Sequence, residues 1–128
     1  MKKLVVIFLF VAITLWVKIF AAMYLLEAST LSVIIAFVIA PFLEEYIFRF
    51  LPLRFGKKWN CQEELMWVSV ILFALMHKGN YDHFGLYYCF LIQGVLGFTL
   101  WQVMQKTNYV TAVIFHSLYN VMVFTLLG

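Results

Sequence analysis

The chain has 128 residues, 66% of them hydrophobic and only 12% charged, with a net charge of +3 and a mean hydropathy of +0.98. Soluble domains carry about 25% charged and 45–50% apolar residues, so these totals exclude an ordinary soluble protein and fit a single helical membrane domain. The small, dispersed positive charge leaves no footprint for nucleic acid, and Cys61 and Cys89 form neither a CxxC nor a metal-ligand spacing.

A helix needs about 20 apolar residues to cross the hydrocarbon core, and Leu4–Leu26 supplies a first span interrupted only by Lys18. Met1-Lys2-Lys3 followed by an apolar run also suits a signal peptide, with Phe20-Ala21-Ala22 as its cleavage site. The run continues past that site to Leu26 and exceeds the usual ~7–15 residues, so a retained span is expected. Glu27-Ala28-Ser29-Thr30 reads as a polar turn able to cap the next helix. The second span covers about Leu31–Phe55, kinked at Pro41 and loosened near Pro52, and Arg54–Asn60 reads as a basic interfacial connector.

A third helix starts at Gln62-Glu63-Glu64, where acidic residues suit a helix N-terminus, and runs to His77. Lys78–His83 forms a polar turn, and Phe84–Met104 is the fourth span, with Gly94 and Gly97 allowing close helix approach. Gln105–Asn108 turns the chain into a fifth span, Tyr109–Leu127. The expected fold is therefore all-α and polytopic: one membrane domain over residues 1–128, with a leading helix (1–28) and a four-helix core (29–128). In this arrangement Lys2, Lys3, Arg54, Lys57, Lys58 and Lys106 share one side, which the positive-inside rule places in the cytoplasm together with the N-terminus.

Pro41-Phe42-Leu43-Glu44-Glu45-Tyr46-Ile47-Phe48-Arg49 puts three ionisable side chains inside an apolar span. A charge there costs roughly 3 kcal/mol on insertion scales, so such residues usually mark function. At 1.5 Å per residue, Glu44 lies roughly 16 Å from the cytoplasmic end of its helix, His77 roughly 20 Å, and His116 and Asn120 roughly 12 and 18 Å. Unrelated polar residues have little reason to share one slab. Glu45 and Arg49 are spaced i,i+4 and can pair. Glu44 is rotated by about 100° and keeps a free face, where desolvation favours its neutral form and suits a general base or acid. His116 and Asn120 are also i,i+4, and their N–H groups can face a developing oxyanion.

Bland readings accompany these. Glu45–Arg49 alone is a structural ion pair, His77 alone a helix-end dipole contact, and His116 with Asn120 interhelical glue. Phe73 reads as packing, and His83 as a solvated turn residue.

Taken together, Glu44-Glu45-x-x-x-Arg49, Phe73-x-x-x-His77 and His116-x-x-x-Asn120 resemble the three motifs of the CPBP intramembrane proteases, the family of type II CAAX prenyl endopeptidases and Abi bacteriocin-immunity proteins. The resemblance extends from about Leu31 to Val123. It implies an endopeptidase in which Glu44 and His77 activate water, His116 and Asn120 stabilise the oxyanion, and Glu45 and Arg49 support the site. The family has also been called metalloprotease, and Glu44, His77 and His116 form a chemically reasonable zinc set. The chain lacks HExxH, and metal-independent chemistry is preferred.

The chain is shorter than the prenyl endopeptidases, which favours a peptide or membrane-protein substrate, or an immunity role, in a bacterial cytoplasmic membrane. Two other classes stand beside the enzyme: a binder that sequesters a bacteriocin or membrane partner, and a proton-coupled transporter. The transporter lacks the repeated halves such proteins commonly carry.

Overall fold

The computed structural model describes residues 1–24, 38–77 and 85–127, and these are almost entirely helical. We label the rods in chain order: α1, Lys2–Tyr24; α2, residues 40–59; α3, Gln62–Met76; α4, Gly85–Lys106; and α5, Tyr109–Leu127. The expected turns Glu27–Thr30 and Lys78–His83, the first residues of the second span and the Lys18 side chain lie outside the described part.

α2 carries the largest departure from the sequence reading. It does not loosen at Pro52 but continues to Trp59, as Ala40–Glu45, a π-helical segment Tyr46–Phe50, and Leu51–Trp59. The physical reason lies in the hydrogen-bond ladder. Leu51 N–H bonds back to Tyr46 O, five residues away, so the turn before Pro52 is widened, which relieves the clash a proline ring makes in an α-helix. In a regular helix the Phe48 carbonyl would take its bond from residue 52, and proline has no N–H to give. The buried Ser69 hydroxyl of α3 donates to Phe48 O instead. Ser69→Ala should therefore strand a buried carbonyl and cost about 1–3 kcal/mol, measured as a lowered unfolding midpoint in detergent. An unchanged midpoint would mean that Phe48 O has another donor.

The residues expected to form a basic connector, Arg54–Trp59, are thus helical, and the α2–α3 corner shrinks to Asn60 and Cys61. Asn60 turns the chain in the left-handed conformation (φ 53°, ψ 49°), as helix C-termini often require. Gly56 makes the corner possible, since a Cβ there would stand 2.8 Å from Gln62 Cα. α3 matches its expected bounds: acidic residues open it, and His77 closes it with its N–H on Ala74 O. Asn108 caps α5 by accepting the Thr111 N–H at 2.9 Å.

α1 packs on α2 and α3 and places Phe10 in a core with Phe48, Cys61, Leu65 and Phe73. An exposed Lys3–Glu64 salt bridge of 3.2 Å joins the starts of α1 and α3. The Glu64 carboxyl is held below its ordinary value by its backbone hydrogen bond and then by Lys3. Both cysteines are buried, and Cys89 Sγ donates to Ala74 O at 2.8 Å, joining α4 to α3.

The outward surface is apolar over large areas, with Leu4, Phe8, Leu91, Val95, Phe115 and Leu118 each at least half exposed. A soluble monomer rarely shows contiguous apolar patches of more than a few hundred Å². Among the described residues, Gly85–Lys106 is the helix long and apolar enough to cross a membrane by length and composition, and Tyr109–Val123 is a shorter apolar helix.

Candidate active site

The site begins with an ion pair made by helix spacing. Glu45 and Arg49, one turn apart, are 0% and 1% exposed, with Arg49 Nη1 3.1 Å from Glu45 Oε1. The guanidinium lies 4.0 Å from the centre of the Phe73 ring, which adds a cation–π contact. Space for this stack comes from Gly97 of α4, because a Cβ there would sit 3.2 Å from both Arg49 Nη2 and the Phe73 ring. The expectation that Gly94 serves the same purpose is not met: a Cβ at Gly94 meets nothing within 4 Å. Glu45 Oε2 and Arg49 Nη2 are buried without a hydrogen-bond partner among the described residues. The pair is therefore costly to keep and costlier still to break.

Two histidines close around the neighbouring carboxylate. His77 Nδ1 lies 2.7 Å from Phe73 O, and a carbonyl can only accept, so Nδ1 carries the proton and Nε2 turns inward. His116 Nδ1 lies 2.7 Å from Glu45 Oε1, and its Nε2 also turns inward. Both inward nitrogens stand 3.5 Å from the same atom, Glu44 Oε2. That separation permits electrostatic attraction, yet Glu44 Oε2 makes no hydrogen bond. Glu44 is therefore not the unpaired carboxylate the helical wheel suggested. It is rotated away from Arg49, as expected, but onto two imidazoles.

Burial divides the cluster into two edges. The His116 and Glu45 side chains are 1% and 0% exposed, whereas Glu44 and His77 keep 25% and 19%. The open edge is where a reacting group can enter, and the sealed edge holds the open one in place. With its Nδ1 proton directed at Glu45, a neutral His116 has a lone pair at Nε2, so it can donate there only as the imidazolium. Asn120 sits half-buried one turn beyond His116 on α5.

The structure thus joins Glu44, Glu45, Arg49, His77 and His116, from α2, α3 and α5, in one cluster. Phe73 does more than the packing read for it, and two contributors, Ser69 and Tyr109, went unread in the sequence. Phe73, taken as packing, supports Arg49, contacts both histidine rings (4.4 and 5.7 Å between centroids) and lends its carbonyl to His77. Ser69 lies one turn before Phe73, and the i, i+4, i+8 series Ser69, Phe73, His77 was its signal. Tyr109 donates its hydroxyl to Phe42 O at 2.6 Å, fastening α5 to α2 just before the two glutamates.

The model of the Rce1-like type II CAAX prenyl endopeptidases matches residues 26–122. That stretch is most of the chain and contains the whole cluster. The chain belongs to this family. No curated protein and no solved structure matches it. The family's proteases are membrane-embedded, in keeping with the apolar surface, and α1 lies outside the matched residues. Glu44, His77 and His116 are donor types that zinc accepts. Among the described residues, however, no group of three or more His, Cys, Asp or Glu side chains is arranged to hold a metal ion.

Proposed function

We propose that the protein is an intramembrane endopeptidase that cleaves a membrane-associated peptide or protein, with water activated by Glu44 and His77. The observation that carries this reading is the convergence of His77 Nε2 and His116 Nε2 on the buried Glu44 Oε2, where the sealed edge of the cluster meets the more open one. Water at this edge gives a proton to Glu44 or His77 as its oxygen attacks the scissile carbonyl. Bond cleavage then returns that proton to the leaving amine. His116, its ring fixed by the contact of Nδ1 with Glu45, and Asn120 stabilise the oxyanion. Arg49 holds Glu45 in place for that contact.

The orientation in the reading rests on charge. The Lys3–Glu64 bridge and the closeness of Lys2 to Trp59 gather basic residues at one end, which supports a cytoplasmic N-terminus in a bacterial plasma membrane crossed by five helices. We further infer a peptide or membrane-protein substrate, including a bacteriocin in self-immunity.

The test compares membranes containing wild type with membranes containing Glu44→Gln/His77→Ala at matched abundance, scored for new protein N-termini. One membrane protein or peptide accumulating uncut in the variant is the expected result. Identical terminal peptides in both would instead favour a binder that sequesters its partner. In the same assay, chelation by phenanthroline should leave cleavage unchanged. Loss of activity restored by added zinc would defeat the metal-free reading.

A further inference from the structure

A groove of about 550 Å³ runs between α1 and α2, away from the catalytic cluster. Its walls are two facing i,i+4 stripes, Val5, Leu9 and Ile13 on α1 and Ile47, Leu51 and Phe55 on α2. Charge occurs at one end only, where Met1, Lys2, Lys58 and Trp59 line the mouth and, among the described residues, no Asp or Glu does. The two ammonium groups lie 6.0 and 5.5 Å from the indole centre. Lys3, by contrast, is engaged with Glu64.

We propose that this groove is a lipid site, holding one acyl chain of an anionic glycerophospholipid with its phosphate between Lys2 and Lys58. Length supports this occupant. From Lys58 to Ile47 the groove extends about 16 Å at 1.5 Å per residue, close to half of the ~30 Å hydrocarbon core. It therefore spans one leaflet, with its cations and tryptophan where headgroups lie. Polarity argues against the alternatives. An extended peptide would bring N–H and C=O groups into walls that offer them no partner, and an uncharged headgroup would leave two lysines unanswered. Basic pockets at the cytoplasmic ends of membrane helices favour anionic headgroups for the same reason. The inference rests on the membrane-embedded reading and is independent of proteolysis.

The experiment is native mass spectrometry of the full chain released from mixed micelles of equimolar dioleoyl phosphatidylglycerol and dioleoyl phosphatidylcholine. Wild type should retain one phosphatidylglycerol in about tenfold preference. Lys2→Gln/Lys58→Gln should bring the two lipids to parity, and Leu9→Trp, which fills the groove, should reduce retention of both. Thermal unfolding establishes that each variant is folded. Equal retention by wild type, or a preference untouched by the lysine changes, would overturn the proposal. Displacement of phosphatidylglycerol by an equimolar farnesylated peptide would overturn it too, by making the groove a substrate site.

Discussion

Glu44→Gln should lower the cleavage rate by about 10²–10⁴-fold, the usual contribution of a positioned acid–base group, while the protein folds and accumulates almost normally. The two halves of this expectation have separate causes. The amide matches the carboxylate in shape but cannot take a proton from water, so the chemistry is lost. Stability is spared because Glu44 Oε2 makes no hydrogen bond and the side chain keeps 25% exposure, so no strong partner is stranded. The new NH₂ can donate to His77 Nε2 or His116 Nε2, each 3.5 Å away, after a small rotation. The measurement pairs the rate on a membrane peptide with the unfolding midpoint in the same detergent. A rate within twofold of wild type would remove Glu44 from the mechanism. A collapsed midpoint would make it structural.

How much of this was legible in the sequence depends on whether a feature is set within one helix or between two. α3 and α5 were readable because their signals are local: acidic residues open α3, His77 closes it, and Asn108 caps α5. The Glu45–Arg49 pair was readable because i,i+4 spacing alone creates it. The course of α2 through Pro52 was not, because the donor answering Phe48 O comes from Ser69, 21 residues away in sequence. Gly94 and Gly97 look alike in a string of residues, and only the position of Arg49 tells them apart. His77 and His116 were placed at the depth of Glu44 by the sequence, but the atoms they turn toward it were hidden for a similar reason. A helical wheel gives the direction in which a side chain leaves its own helix, not what waits there.

Arg49→Ala should behave in the opposite way to Glu44→Gln, lowering stability by about 3–5 kcal/mol, as expected when one member of a buried pair is removed. Glu45 would remain fully buried, with His116 Nδ1 at 2.7 Å as its remaining hydrogen-bond partner, and a hole would open over Phe73 where the guanidinium had stacked. Glu45→Gln in the same background separates these two costs. It removes the stranded charge but not the hole, so Arg49→Ala/Glu45→Gln should be more stable than Arg49→Ala alone, a coupling that a double-mutant cycle of unfolding midpoints measures directly. Additive losses would mean that the two side chains do not act as a pair. Activity should nevertheless stay low in the double variant. A neutral amide in place of the Glu45 carboxylate weakens the 2.7 Å contact that fixes His116 Nδ1, so the ring no longer holds Nε2 toward the site. Recovery of stability without recovery of rate would therefore separate the role of the sealed edge in folding from its role in catalysis.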